Sequence, residues 1–330
     1  MRRSLLSVVV GGAALFAASA ATGAPDPLVS DAAIPLPNTA GRIDHLAVDL
    51  ARKHLFIAEL GNGTVDVVDL ATKKVVHRIS GLDEPQGVVY DRVNDRVIVA
   101  CGGDGVVRSY DGGNFSPRAM IDLGDDADNV RIDPRDNSVL VGYGDGAIAV
   151  LSTPRLAKSA HIVLPAHPEG FQISSAAARV FVNVPDARQI DVIDTSTHKL
   201  IAAWTAPGLS ANFPMALIGS GLVAVAFRHP ARLAALDAAS GSRKFETPTC
   251  GDADDVFFDA KRNRIYVSCG AGAIDVFEQG SAGIARLASV SSASGARTSL
   301  FVADLDRLFV AAPAGWLSRD ASVQVYRPNP

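Results

Sequence analysis

The chain has few cysteines and few aromatic residues. It contains 3 Cys and 2 Trp, and aromatic side chains make up 6% of its 330 residues. None of the cysteines belongs to a CxxC or CxxCH sequence, which excludes c-type haem attachment and argues against a zinc or copper site built on Cys. A Walker loop, a dinucleotide fingerprint and the nucleophile elbow of Ser-His-Asp hydrolases are also absent.

Long apolar runs are absent except at the amino terminus. Arg2 and Arg3 precede an apolar run over residues 5–18, and the small residues at 18–20 or 22–24 suit signal peptidase. A membrane anchor is the alternative, but this run is too short to span a bilayer comfortably. We predict a signal peptide over residues 1–24 and a mature chain, residues 25–330, without a transmembrane span, in a bacterial periplasm or the medium.

An excess of basic residues is absent as well. The chain has 31 Lys and Arg against 35 Asp and Glu, and the predicted cleavage removes only Arg2 and Arg3, which leaves 29 against 35 and a net charge of −6. This balance disfavours binding to nucleic acid or to an anionic membrane. We expect a monomer whose partner is a small-molecule ligand or a periplasmic protein.

The feature that dominates the sequence is a unit that recurs about every 42 residues. Each unit contains an apolar strand that ends at an anchor residue, a polar turn, and a second apolar strand. Successive anchors are 42, 42, 41, 44, 41 and 44 residues apart, and they are Asp49, Asp91, Asp133, Ser174, Ile218, Asp259 and Ala303. A strand-rich repeat of this length is typical of the blades of a β-propeller.

We therefore predict an all-β fold, a seven-bladed β-propeller of four-stranded antiparallel blades in a single domain. Turns rich in Gly, Asn and Asp, such as residues 60–63, tolerate the positive φ of tight hairpins. Residues 298–330 provide about three strands of the last blade. The missing outer strand is predicted around residues 28–36, which would join both termini in one blade and leave no exposed edge.

Two of the three cysteines flank one predicted hairpin. Cys250 precedes the first strand of the sixth unit and Cys269 ends the second strand. Antiparallel pairing brings these positions together, so a Cys250–Cys269 disulfide is geometrically reasonable. Cys101 ends a strand in the second unit and is predicted to be a buried free thiol.

The inner strands of a propeller start near one mouth of the central channel, so the residues at the strand starts converge on the axis. By alignment of the seven units, these residues are Asp44, Gln86, Asp128, Glu169, Phe213, Asp254 and Thr298. Neighbouring positions add His45, Asn129, His167, Asn212, Asp255 and Arg297. We predict that the polar members of this set form a ligand site at the channel mouth.

Four carboxylates in one ring repel each other unless a cation, an arginine or a proton offsets them. Asp128, Glu169 and Asp254 are therefore candidate metal ligands, and their oxygens suit Ca²⁺ or another divalent cation. The alternative interpretation is a solvated rim, in which the acids cap strands and keep the mouth soluble. Arg228 and Arg232 are interpreted as surface residues of a turn in the fifth unit.

The best-formed units carry a recognisable strand pattern at residues 55–58 and 63–69, and again at 264–268 and 274–276. In these segments the chain resembles the YncE-like, YVTN-repeat propellers, which are secreted relatives of the NHL, WD40 and lactonase-type propellers. The resemblance covers roughly residues 40–327 and implies a propeller fold. It is weak for activity because this fold hosts binding, scaffolding and enzymatic roles alike.

Two functions stay open at this point. The first is a ligand- or protein-binding module that uses the polar channel mouth. The second is a metal-dependent, lactonase-like hydrolase in which a cation polarises a carbonyl and activates water. It would use Asp128, Asn129, Glu169 and Asp254 as ligands or base, with His45 as proton carrier. The sequence assigns no catalytic residue to either function.

Overall fold

A computed structural model describes residues 26–219, 221–281, 283–315 and 320–330. The predicted signal peptide, residues 1–24, lies outside the described residues. Within the described ranges, no helix has the length and apolar character needed to cross a membrane.

The described chain forms seven four-stranded antiparallel sheets arranged as the blades of a β-propeller, as predicted. Strand β1, Leu28–Leu36, belongs to the last blade. The first three blades contain, from the axis outward, Leu46–Asp49, His54–Glu59, Thr64–Asp69 and Lys74–Ser80 (β2 to β5); Pro85–Asp91, Arg96–Cys101, Val106–Asp111 and Pro117–Asp122 (β6 to β9); and Val130–Ile132, Val139–Tyr143, Ala147–Ser152 and Ala157–Val163 (β10 to β13).

The remaining blades follow the same plan. They contain Phe171–Ser174, Arg179–Val184, Gln189–Asp194 and Lys199–Thr205 (β14 to β17); Ser210–Ile218, Leu222–His229, Ala231–Asp237 and Arg243–Pro248 (β18 to β21); Ala253–Asp259, Arg264–Cys269, Ala273–Gly280 and Gly283–Ser291 (β22 to β25); and Ser299–Val302, Arg307–Ala312 and Ala321–Pro328 (β26 to β28). Two short 3₁₀ helices, Leu60–Asn62 and Ala303–Leu305, lie in connections.

The seventh blade closes the ring with strands from both ends of the chain. Strand β1 pairs antiparallel with β28, from Leu28 opposite Pro328 to Leu36 opposite Ala321. The order of this sheet is β1-β28-β27-β26, so β1 is the outer strand that the short last unit lacks. The predicted closure is therefore confirmed, and it gives β28 a partner along its outer edge.

The hydrophobic core is divided among the contacts between adjacent blades. One cluster, for example, joins Phe56 and Val67 of the first blade to Val88 and Val99 of the second, and all four side chains are buried. Each blade is apolar on both faces because both faces pack against a neighbour. Burying one such side chain fully contributes roughly 1.5–3 kcal/mol, so interblade packing holds the ring together.

The anchor aspartates of the repeat end the inner strands on the side away from the strand starts. Asp49 is fully buried, and its Oδ1 accepts hydrogen bonds from the backbone N–H groups of Ala51 and Arg52 at 2.9 and 3.2 Å. Asp91 and Asp259 accept the equivalent pair of bonds. An Asp at these positions therefore closes the polar turn between the first two strands of a blade.

The sulfur atoms of Cys250 and Cys269 are joined in a disulfide, with the two Cα atoms 5.9 Å apart. Cys101 is a free, buried thiol, and burial raises its pKa to about 11. It is therefore an unreactive core residue rather than a nucleophile.

Candidate functional site

The starts of the inner strands meet in one ring, where adjacent blades are in direct contact. The backbone N–H of Gly170 donates to the carbonyl of Phe213 at 3.1 Å. A Cβ atom on Gly170 would lie 2.6 Å from that carbonyl oxygen, and one on Gly87 would lie 2.2 Å from the carbonyl oxygen of Asp128. Glycine follows the strand start in these two units because no side chain fits between the blades.

A cavity of about 480 Å³ occupies the channel and is lined by this ring and by the inner strands. A second space of about 460 Å³ borders the strand starts on their outer side. Five residues border both spaces: Arg42, Asp128, Glu169, Phe213 and Asp254. The channel mouth is therefore a funnel in which a charged rim leads to a largely apolar interior.

Asp44, the strand start of the first blade, is buried and paired with an arginine. Nη2 of Arg42 lies 3.0 Å from Oδ2 of Asp44. Burial raises the pKa of Asp44 well above its usual value, and Arg42 opposes that shift. The guanidinium of Arg42 also lies in the field of Asp254, Asp128 and Glu169, so one partly exposed arginine offsets several acids of the ring.

Asp254, the strand start of the sixth blade, is held by Arg228. Nη2 of Arg228 lies 2.5 Å from Oδ1 of Asp254, and its Nε donates to the carbonyl of Ala253 at 2.9 Å. The guanidinium carbon is 3.7 Å from the centre of the Phe213 ring, which is a cation–π contact. The interpretation of Arg228 as a surface residue of a turn is therefore wrong, because β19 runs long enough to carry it to the mouth. Arg232 does lie outside the mouth, with its Nε 3.5 Å from Glu246.

Asp128, His167 and Glu169 form a compact group on one side of the funnel. One ligand atom from each of the three side chains lies within 4.8 Å of the others. Nδ1 of His167 is 2.7 Å from the carbonyl oxygen of Gly144, so this nitrogen carries a proton and donates it. Nε2 of His167 lies 3.8 Å from Oδ2 of Asp128, which is an ion-pair distance rather than a hydrogen bond.

The charges in this group are strongly perturbed. Burial and the neighbouring carboxylates of Asp128 and Asp254 raise the pKa of Glu169 well above its usual value. Burial acts to lower the pKa of His167, but Asp128 and the carbonyl of Gly144 raise it to about 9. Burial also opposes ionisation of Asp128, yet His167 holds the pKa of Asp128 below its usual value. These shifts favour the charged forms of His167 and Asp128 and disfavour the charged form of Glu169.

The predicted metal ligands were Asp128, Glu169 and Asp254. In the structure, the group of potential ligand atoms contains Asp128, Glu169 and His167, while one oxygen of Asp254 is bound by Arg228. Ca²⁺ prefers oxygen ligands throughout, whereas an imidazole nitrogen with two carboxylates suits Zn²⁺ or Mn²⁺. The donor set therefore favours a transition metal over Ca²⁺.

Three other predicted residues take part in the mouth through different partners. Gln86 donates from Nε2 to Oδ1 of Asp126 at 3.1 Å. Arg297 lies 3.2 Å from Oδ1 of Asp252. Asp255 is buried at the channel wall, where its Oδ2 accepts from the backbone N–H of Ser299 at 2.7 Å; burial raises the pKa of Asp255 to about 7.

Asn129, His45 and Asn212 have contrasting surroundings. Asn129 lines the cavity and is 2% exposed, and its Oδ1 has no hydrogen-bond partner among the described residues. His45 also lines the cavity, with Nε2 3.9 Å from Oδ1 of Asp44. Asn212 borders neither space. Its Nδ2 donates to Oδ1 of Asn183 and to the carbonyl of Gln189, so the side chain lies in the contact between the fourth and fifth blades.

Sequence reasoning missed Arg42, Asp126 and Arg131 as funnel or channel residues. Arg42 and Asp126 occupy the position two residues before a strand start, as His167 does. Four such residues border the outer space: Arg42, Glu84, Asp126 and His167. The signal for the outer funnel is therefore a polar residue two positions before a strand start. The signal for Arg131 is a charged residue three positions after a strand start, where the other units have uncharged residues.

No protein-family model matches the chain, and no curated protein matches it. Among solved structures, a chain of the Mitotic Checkpoint Complex crystal structure is similar with a TM-score of 0.79 at 14% identity, covering 92% of this chain and 96% of that chain. A chain of Kuenenia stuttgartiensis hydrazine synthase is similar with a TM-score of 0.72 at 15% identity, covering 87% and 98%. At such identities the likeness establishes the shared β-propeller fold alone.

Proposed function

We propose that this protein is a binding module of the YncE-like, YVTN-repeat type that holds a small ligand in the funnel of its channel. The observation that carries this proposal is Glu169, an acid of the rim that lacks a basic partner. Asp44 and Asp254 each have an arginine and Asp128 has His167, but no Lys, Arg or His nitrogen among the described residues lies within 4.0 Å of Glu169. A cationic group on the ligand would supply the missing charge.

The rest of the cavity defines the other part of the ligand. Below the charged rim the channel wall includes Val89, Ala216 and Phe257, so an apolar body would be buried there. A volume of about 480 Å³ is within the range of small-molecule sites. A primary alkylamine has both features, a cationic group for Glu169 and an apolar chain for the channel.

Isothermal titration with hexylamine tests this function, with hexan-1-ol as the neutral probe of equal length. We expect hexylamine to bind more tightly than hexan-1-ol, and Glu169→Gln to weaken hexylamine binding at least about tenfold because a charge-assisted contact is lost. Glu246→Gln, which removes an acid on the outer strand β21, is the control and should bind as the unmodified protein does. Equal affinity for the two probes, or an unchanged Glu169→Gln variant, would refute the proposal.

A metal-dependent, lactonase-like hydrolase is the second candidate, and the geometry of His167 favours it. Because Nδ1 of His167 is fixed by the carbonyl of Gly144, Nε2 is left for a metal beside Asp128 and Glu169. A cation there would polarise a carbonyl and activate water. Titration with Mn²⁺, Zn²⁺ and Ca²⁺, followed by δ-valerolactone hydrolysis, tests it. Metal binding that His167→Ala abolishes, together with hydrolysis, would support it; no binding of any of the three ions would exclude it.

We also propose that residues 1–24 direct export to the periplasm or the medium and that the mature protein is a monomer. The Cys250–Cys269 disulfide supports an oxidising compartment, and the paired edge of β28 supports a monomer. Mass spectrometry and size-exclusion chromatography of protein from the periplasmic fraction check both points. Intact residues 1–24, or elution as a dimer, would contradict them.

A further inference from the structure

One arginine lies inside the channel rather than at its rim. Arg131 is the middle residue of β10, the inner strand of the third blade, and lines the channel cavity. Its neighbours Val130 and Ile132 belong to, or pack against, the core between the second and third blades. The alternation of the strand therefore directs Arg131 away from that core.

Among the residues that the structure describes, Arg131 is the only charged one at its level of the channel. Its pairing partner on the second strand of its blade is Leu140, and the corresponding pairs in the other blades identify the inner-strand residues at the same level. These residues are Ala47, Val89, Gln172, Ala216, Phe257 and Phe301. Six of the seven blades thus place an uncharged residue here, and five of those residues are apolar.

The guanidinium of Arg131 has weak partners for a partly buried cation. Nη1 donates to the carbonyl of Val130 at 2.8 Å, and the guanidinium carbon is 5.6 Å from the centre of the Phe171 ring. No carboxylate oxygen among the described residues lies within 4.0 Å of it, in contrast to Arg42 and Arg228 at the rim. Burying an arginine without a carboxylate partner lowers the stability of the folded protein. A ligand that pairs with Arg131 would offset this loss.

The nearest acids act on Arg131 only from a distance. Burial lowers the pKa of Arg131, and Asp255 and Asp128 oppose that shift without touching the guanidinium. Asp128 is committed to His167, with Nε2 and Oδ2 3.8 Å apart. Asp255 accepts a backbone hydrogen bond from Ser299 and, with a pKa of about 7, is only partly ionised at neutral pH.

We propose that Arg131 forms an anion subsite that binds the carboxylate of a small ligand inside the channel. The ligand class is a small carboxylic acid with an apolar body, because five of the six other residues at the level of Arg131 are apolar and a planar guanidinium pairs with a carboxylate through two hydrogen bonds. The subsite lies deeper than the rim, since Asp128 and Arg131 are separated by three residues of extended chain, about 10 Å. This proposal rests on the proposed function in one respect only, namely that a small ligand binds in the channel cavity.

Titration calorimetry with hexanoate, hexan-1-ol and hexylamine tests the subsite in the full mature protein. We expect hexanoate to bind at least about tenfold more tightly than hexan-1-ol, and Arg131→Gln to remove that advantage because the charged pair is lost. Arg131→Lys keeps the charge but not the bidentate geometry, and should retain part of it. Arg135→Gln, which removes an arginine at the opposite end of the same blade, should leave hexanoate binding unchanged.

The three probes separate this inference from the proposed function. Hexanoate that binds no better than hexan-1-ol to the unmodified protein overturns the anion subsite, and this comparison needs no variant to fold. Unchanged hexanoate binding by Arg131→Gln overturns it as well. If hexylamine binds through Glu169 while hexanoate does not bind, the rim site stands and the subsite fails. If hexanoate binds through Arg131 while hexylamine does not bind, the subsite stands and the cation site fails.

Discussion

Both ends of the inner strands carry acidic residues, but the surroundings of these acids differ between the two ends. At the turn end, the buried carboxylate of Asp259 accepts hydrogen bonds from the backbone of Lys261, the side chain of Arg262 and the hydroxyl of Tyr266. At the mouth, the carboxylate of Glu169 faces the cavity with no hydrogen-bond donor among the described side chains, and its pKa is raised by burial. A buried acid that accepts several hydrogen bonds stabilises the fold. A buried acid without donors does not, and it offers an acceptor to a ligand.

The difference also appears in how regular each end is. Asp recurs at the turn end in four of the seven blades, and Asp49, Asp91 and Asp259 make equivalent bonds to the backbone N–H groups of their turns. At the mouth, by contrast, the acids Asp44, Asp128, Asp254 and Glu169 each have different neighbours. We expect a ligand to act where the surroundings differ between otherwise similar blades.

The largest effect that this comparison predicts is at the turn end. We expect Asp259→Ala to lower the free energy of unfolding by about 2–4 kcal/mol, because it leaves the buried Tyr266 hydroxyl and the backbone N–H of Lys261 without their acceptor and removes one of the two carboxylates that hold Arg262. Denaturant unfolding measures the loss. Asp69→Ala, which removes an equivalent cap in an exposed turn, is the control and should cost much less. Equal losses in the two variants would contradict a special role for the buried anchor.

The second prediction concerns pH, and its sign differs between the two ends. Asp255 at the mouth has a pKa of about 7 in the folded protein and 3.8 as its ordinary value, so the folded state holds an extra proton between these limits. The contribution of Asp255 to stability should therefore be fully present below about pH 4 and should be lost as the pH rises toward 7, by up to about 1.4 kcal/mol per pH unit.

Asp255→Asn keeps an acceptor for Ser299 and should flatten this dependence, which thermal unfolding across pH 4–8 will measure. Asp133 at the turn end provides the contrast. Burial opposes its ionisation, but hydrogen bonds from Arg135 hold the pKa of Asp133 below its usual value. Asp133→Asn should therefore remove a contribution that is present above pH 4 and lost on acidification. The same slope in Asp255→Asn and unmodified protein would rule out the raised pKa.

The smallest predicted effect is a gain in stability at the mouth. We expect Glu169→Gln to raise the free energy of unfolding at pH 8 by about 0.5–2 kcal/mol, because it removes a carboxylate that burial disfavours in its ionised form. Chemical denaturation at pH 8 and pH 4 checks this, since the gain should vanish at pH 4. A loss of stability at pH 8 would place Glu169 with the structural acids of the turn end.

The fold could be predicted in detail because a repeat supplies seven versions of the same information. The spacing of anchors such as Asp49 and Asp91 fixed the blade count, and the short last unit indicated that residues 28–36 complete it. Each strand buries apolar side chains in the same way, so errors in one unit are corrected by the others.

The site was predicted only in part because its contacts cross between blades that are distant in sequence. Alignment placed Asp128, Glu169 and Asp254 at one mouth, but it could not show that Arg228 holds Asp254 from the neighbouring blade. It also placed Asn212 in the mouth, whereas the side chain bonds to Asn183 of the neighbouring blade. Contacts between blades depend on side-chain direction, which composition and spacing do not report.

The closure of the ring by β1 and β28 has a consequence for the order in which the protein folds. Six blades are built from consecutive strands, but the seventh requires segments from opposite ends of the chain to meet. Contacts of such large sequence separation form slowly, because the whole intervening chain must be ordered first. Until β1 pairs with it, β28 has an unpaired edge, so we expect a chain whose seventh blade is still open to be more prone to aggregate than the closed ring.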